Sequence, residues 1–334
     1  MHVSSTVWII TILVILGLFI FDFFAHVRVP HAPSIKESGF WSAFYITVAL
    51  IFGGFVWWKW GSTSGTEYYA GFVTEKALSV DNLFVFVIIM AKFAVPREYQ
   101  QKVLLLGIVM ALVMRGAFIA VGAAAINAYS WVFYLFGAFL IYTAIKLVRE
   151  SGHEEEAEEE RESTIQRFVK KVLRTSDNYD GDKLFTKENG KRLATPMLMV
   201  LIVIGFTDVL FALDSIPAIY GLTSEPYIVF TANAFALMGL RQLYFLLGGL
   251  LDKLVYLSFG LSFILGFIGI KLVLHALHEN TLGFINGGEH VKVPEISTPL
   301  SLSVIVGTLV ITTIASLLKS RSDARKPDKT ELSP

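Results

Sequence analysis

Hydrophobic residues gather into nine long runs, near residues 5 to 24, 40 to 58, 68 to 91, 103 to 124, 129 to 148, 196 to 220, 227 to 248, 254 to 275 and 299 to 318. Each can cross about 30 Å of hydrocarbon as a helix, which takes roughly 20 apolar residues. The pattern predicts an all-α, polytopic membrane protein of about nine transmembrane helices. The first run, Val7 to Phe24, lacks a basic leader and a small-residue cleavage site, so it reads as a retained span. Between the fifth and sixth runs, Arg149 to Ala194 is the one sizeable polar segment. Its acidic stretch Glu154 to Glu160, later basic residues and Asn-Tyr-Asp-Gly and Glu-Asn-Gly pieces predict a solvated, partly disordered linker with one short helix.

Composition agrees with the membrane reading. Of 334 residues, 54% are hydrophobic and 17% charged, with mean hydropathy +0.61, too apolar for a soluble chain of this length. Formal net charge is zero, so no overall field favours nucleic acid. There is no Cys, which removes disulfides and thiolate metal ligands. Lys and Arg are uneven: 21 fall in segments 25–39, 92–102, 149–195, 249–253 and 319–334, while the alternate loops hold only Lys59 and Lys292. The positive-inside rule then places the N-terminus outside and the C-terminus in the cytoplasm.

Four carboxylates interrupt the apolar runs: Glu75 and Asp81 in the third, Asp208 and Asp214 in the sixth. Each ionised acid at a bilayer centre costs roughly 2.5 to 3.5 kcal/mol, an expense that points to function. Arg115 follows the first pair and Arg241 the second, and Lys-Leu-Val recurs at Lys146 and Lys271. Three spans per copy is an odd number, so the second copy enters the membrane from the opposite side, as in the inverted repeats of secondary transporters. The expected divisions are a two-helix region (1–65), a first three-helix repeat (66–148), a charged cytoplasmic linker (149–195), a second repeat (196–278) and a C-terminal helix with tail (279–334).

Carboxylates joined by the Asn82 amide and the Ser215 hydroxyl form an all-oxygen donor set, suited to Mn²⁺, Mg²⁺ or Ca²⁺. Glu75, Asp81, Asn82, Asp208, Asp214 and Ser215 are the candidate metal ligands, with the metal as cargo and no resident cofactor. Six residues turn a helix through about 600°, so the two acids of one copy do not share a face unless the helix unwinds between them. Pro217 cannot donate to the Leu213 carbonyl and offers a cause in the second copy; in the first, Ser79 or Asn82 would have to supply the break. Acids in low dielectric hold protons without counter-charge, so a divalent cation would expel them on binding, a route to cation/proton exchange. Arg115, Arg241 and Lys76 are candidate gates or charge partners. Asp22, beside His26 and Arg28, reads as interfacial, with a place on the access route as its functional alternative. His275 and His278 read as interfacial too.

The segments Phe72-Val73-Thr74-Glu75-Lys76-Ala77-Leu78-Ser79-Val80-Asp81-Asn82 and Thr207-Asp208-Val209-Leu210-Phe211-Ala212-Leu213-Asp214-Ser215-Ile216-Pro217 resemble the two signature segments of the TerC family of integral membrane proteins. The likeness continues through Ala232 to Tyr244 and Gly269 to Glu279. It implies a LysE-type transporter, similar to Alx-like proteins, that exports Mn²⁺ across a bacterial plasma membrane, with divalent cations, protons and lipid as partners. A tellurium-resistance phenotype would be indirect, since carboxylates repel an oxyanion. The competing reading is a non-transporting membrane scaffold for metal-loading or stress complexes, with protein partners reached through the linker. An enzyme is not expected: no Gly-x-Gly-Asp accompanies the acids, and Tyr179-Asp180 lies in the soluble segment.

Overall fold

Ser4 caps the first helix, α1 (Ser5–Asp22), its Oγ accepting from the Val7 N–H, one of the donors a helix start leaves free. The computed structural model describes residues 1, 3–27, 31–129, 131–150, 175–176, 178–188, 191–247, 254–280, 282 and 285–323. α1 exposes Ile9, Leu13, Leu16 and Ile20, as a lipid-facing helix requires, and ends in a π turn over Phe23–Val27.

α2 (Ile35–Lys92) starts with a capping box between Ser34 and Glu37 and has 58 residues. Straight, it would be about 87 Å long, nearly three times a bilayer core. Gly61, at φ +91°, folds it back in a conformation that only glycine adopts cheaply. The arms then pack together: Tyr68 donates to Ala49 O at 3.1 Å and Tyr69 to Leu50 O at 2.8 Å. Gly53 admits this approach, because a Cβ there would lie 2.5 Å from the Tyr69 ring. The separate spans expected over 40 to 58 and 68 to 91 are thus the arms of one hairpin joined without a loop. Among the described residues eight helices are long and apolar enough to cross a membrane, and this hairpin counts as one of them, hence one fewer than the nine apolar runs.

α3 (Arg97–Ala128), α4 (Val132–Glu150), α5 (Pro196–Tyr220), α8 (Leu257–His278) and α9 (Thr298–Asp323) follow the hydropathy pattern. The run expected over 227 to 248 is instead two helices, α6 (Pro226–Leu237) and α7 (Leu240–Leu247). Extended Met238 and Gly239, at φ +75°, part them. Conversely, the expected unwinding between paired acids is absent. α5 continues through Pro217 and α2 is helical from Glu75 through Asn82; proline removes one N–H bond, and packed neighbours hold the remaining ladder.

The second arm of α2 packs on α6, α3 on α5, and α4 on α8. Exchanging the two halves carries these contacts onto one another. α4 and α8 cross antiparallel, with Ser262 donating to Ala144 O at 2.6 Å and Tyr134 to Asn280 at 3.3 Å. A Cβ on Gly137 would lie 2.9 Å from Gly269 O, and one on Gly269 would lie 3.0 Å from Gly137 O. Small residues thus set this crossing. Gly137→Ala is expected to destabilise by roughly 1 to 3 kcal/mol through overpacking, seen as a lower melting temperature in detergent; an unchanged melt would mean the helices separate freely.

The linker also departs from expectation. Its described part holds a β-hairpin, β1 (Phe185–Glu188) antiparallel to β2 (Lys191–Ala194), with Phe185 opposite Ala194, while residues 151–174, where the expected short helix could lie, are outside the described residues. Tyr179 ties the segment to the α2–α3 turn by donating to Phe93 O at 2.7 Å, and burial pushes its phenol up to about 12, so it stays a donor. Lys102 of α3 pairs with Asp182. The acidic stretch Glu154 to Glu160 lies outside the described residues.

Candidate functional site

Arg115 is fully buried on α3 and reaches two helices. Its Nε and Nη2 donate to Asp208 Oδ2 and Oδ1 at 2.9 and 3.0 Å, a bidentate fork matched to a carboxylate. Its Nη1 donates to Glu75 Oε1 and, at 3.1 Å, to Ser215 Oγ. One guanidinium therefore holds an acid from each half, at the point where the second arm of α2 meets α5. Gly71, one turn before Glu75, permits that meeting: a Cβ there would touch Ile219 and Ala232 at 3.2 and 3.3 Å.

Two carboxylates against one guanidinium leave one negative charge in excess. Ser79 donates to Glu75 Oε1 at 3.3 Å, but Glu75 Oε2 is buried without a hydrogen-bond partner. A bare buried carboxylate oxygen is costly, and it is the natural place for a proton or cation to bind.

The remaining candidates do not join this centre. Asp214 is half-buried and accepts from Thr143 at 3.0 Å. Asn82 is buried, and the Asp81 side chain lies outside the described residues. Glu75 lies level with Asp208 whereas Gly71 meets Ile219, so the two helices run in opposite directions. Asp81 lies about 9 Å along its helix beyond Glu75 and Asp214 about 9 Å beyond Asp208, in opposite directions, with Ser215 next to Asp214 still in contact with Arg115 at 3.1 Å. The acids form tiers, with Asp81 towards the end where the linker docks (the linker side) and Asp214 away from it. Among the described residues no three His, Asp or Glu side chains are grouped to hold a metal ion.

Arg241 and Lys76 differ from expectation as well. Arg241, on α7, donates to Asp22 Oδ1 at 2.8 Å and to Gln101 at 2.9 Å. Gln101 precedes Arg115 by fourteen residues of α3, or roughly 21 Å, so Arg241 is far from the acids of its own copy. Asp22 is only 6% exposed and accepts from Tyr45 at 2.7 Å, which replaces the interfacial reading with a buried ion pair. Arg28 lies outside the described residues. Lys76 donates to the carbonyls of Ala236 and Met238 at 2.9 and 3.2 Å, groups freed where the helix breaks before Gly239. It therefore braces a break, and among the described residues no acid lies within ion-pair distance of it. His278 lies 3.2 Å from Glu295 and His275 meets the Phe133 ring edge-to-face, both near the end of α8.

Sequence reading missed Asn233. It is fully buried on α6, and neither side-chain polar atom has a hydrogen-bond partner. The only signal was an amide within an apolar run.

The sequence profile of the integral membrane protein TerC family matches residues 60–324. An uncharacterized membrane protein of Mycobacterium tuberculosis is 52% identical over 326 residues, 97% of this chain and 82% of its own length. One from Myxococcus xanthus is 40% identical over 328 residues, 97% of each chain. A protein of Escherichia coli named "Putative membrane-bound redox modulator Alx" is 36% identical over 295 residues, 86% of each chain. No solved structure matches the chain.

Proposed function

Because the chain belongs to the TerC family of integral membrane proteins, we propose that it is a transporter that exports divalent metal cations, Mn²⁺ first, by proton-coupled alternating access. The observation that carries this reading is the Arg115 layer: one acid from each half, one shared cation and one bare carboxylate oxygen. Buried ionisable groups facing a bundle interior mark ion pathways. In this arrangement Arg115 neutralises the acids when no metal is bound, and an arriving cation competes with it for Glu75 and Asp208. Asp81 and Asp214 flank the layer as the ligands from which the ion enters and leaves. We assign the linker side to the cytoplasm of a bacterium, with the N-terminus outside.

Hard oxygen ligands favour Mn²⁺, Mg²⁺ or Ca²⁺. Protons compete for the same oxygens, so cation affinity falls as pH drops, and metal leaving the cytoplasm is exchanged for entering protons. A redox role resting on thiols has no residue to use, because the chain has no Cys. The scaffold reading draws support from the docked β-hairpin, a folded surface on the linker side.

The deciding experiment is flux from proteoliposomes loaded with each divalent ion, with a pH-sensitive dye inside and membrane potential clamped. Mn²⁺ movement with counter-directed protons is expected. Absence of flux for every ion would favour the scaffold, and flux without a proton signal would mean a uniporter or channel.

A further inference from the structure

On the linker side, about 20 Å along α3 from the Arg115 layer, a second buried polar cluster surrounds Asp22. Three donors converge on its Oδ1: Tyr45 at 2.7 Å, Arg241 at 2.8 Å and Gln242 at 3.2 Å. A fourth neighbour, His26, sits in the π turn that follows α1, with Nδ1 3.2 Å from the same oxygen. That nitrogen is within ion-pair reach but off the hydrogen-bond direction, and it is buried without a partner. Ser38 Oγ, Ser42 Oγ, Arg241 Nε and Gln242 Oε1 are likewise buried and unpartnered. His26, Ser38, Arg241 and Gln242 line a cavity of about one water's size.

Four residues that each carry a buried polar atom without a partner line this one small cavity, a concentration that points to a bound ligand. The ligand must be small. A divalent ion needs about six oxygens, and Asp22 is already committed to a cation and two neutral donors. Glu37 is tied to the Ser34 N–H and lies 3.3 Å from His31. A proton suits the cluster: an imidazolium carries N–H on both ring nitrogens, so Nδ1–H faces Asp22 Oδ1 whichever neutral tautomer it formed from.

We propose that Asp22 and His26 form a second proton site of the exchange cycle, in addition to the acids at which metal and protons compete; this rests on the transport reading above. A proton entering from the side opposite the linker adds to the His26 imidazole, and no other bond changes. The imidazolium then competes with Arg241 for Asp22 Oδ1. Arg241 lies two residues beyond Gly239, the break between α6 and α7, so α7 can shift when the pair loosens. When Arg241 recloses on Asp22, His26 releases its proton to the linker side. The groups that set this balance are Arg241 from α7, Glu37 and Tyr45 from α2, and His31 from the preceding loop.

Trp41 provides a reporter independent of transport. Its ring lies edge-on to His26, with centroids 4.4 Å apart, and an imidazolium at that distance quenches indole emission far more than neutral imidazole does. Metal-free protein in nanodiscs would be titrated as wild type and as Trp41→Phe, and the difference assigned to Trp41. Emission is expected to fall through one transition as pH drops. That transition should vanish in His26→Gln and move to lower pH in Asp22→Asn. A transition unchanged in His26→Gln would overturn the site, whatever the protein transports. His26→Gln removes no hydrogen bond, so it keeps the test open should Asp22→Asn fail to fold. In proteoliposomes, His26→Gln should diminish the counter-proton signal; an unchanged proton signal overturns the coupling role. No metal flux in wild type would instead defeat the transport reading, with the Trp41 titration still deciding whether a proton binds.

Discussion

Arg115→Met is expected to be the most destabilising single substitution in the membrane core. It keeps much of the side chain's volume but strands Glu75 and Asp208, both buried, without their shared cation. Removing one member of a buried ion pair costs about 3 to 5 kcal/mol, because the partner is left charged in low dielectric. Here two partners are left. The measurement is thermal denaturation followed by size-exclusion chromatography in detergent, which should show a large drop in melting temperature and folded yield. Adding Glu75→Gln and Asp208→Asn to the same chain should restore much of the loss, since no net charge then remains in the layer. A single variant that melts like wild type would show that the acids are neutral in the folded protein and that Arg115 does not hold them.

The substitution also separates what the sequence made legible from what it did not. Arg115 was readable as a partner of the acids because charge at membrane depth requires counter-charge. Arg241, its counterpart in the second copy, was open to the same reading, yet it pairs with Asp22 and Gln101. The reason is that α1 occurs once. It supplies a carboxylate to one arginine and none to the other, so symmetric sequence positions acquire different partners. The tiers of acids were hidden in a similar way. Spacing along each helix was plain, but only the opposed directions of α2 and α5 show that equal spacing carries Asp81 and Asp214 apart. The turn at Gly61 was legible in outline, because hydropathy parts the runs at 40 to 58 and 68 to 91; what it does not reveal is that helix continues on both sides of a single glycine. In the linker, Glu-Asn-Gly was a hairpin signal outweighed by the charged composition around it.

The tiers make a second large effect expected. Asp214→Asn should abolish Mn²⁺ efflux while the protein still inserts at normal levels. Thr143 donates to Asp214 Oδ1, and an asparagine oxygen can accept the same bond, so that contact survives the substitution. What disappears is the charge on a half-buried oxygen ligand on the far side of the Arg115 layer. Outer-shell partners of metal ligands already cost about 10- to 100-fold in affinity when removed, and a direct carboxylate ligand should cost more. Asp81→Asn should have the same effect from the linker side, since a cation crossing the layer needs a ligand before it and another beyond it. The two variants can be told apart by direction. With metal supplied at the linker side, Asp214→Asn should still bind Mn²⁺ without releasing it across the membrane, whereas Asp81→Asn should not load. Efflux at wild-type rates in both variants, with normal folded yield, would remove both aspartates from the path and leave the Glu75–Arg115–Asp208 layer as a structural ion pair.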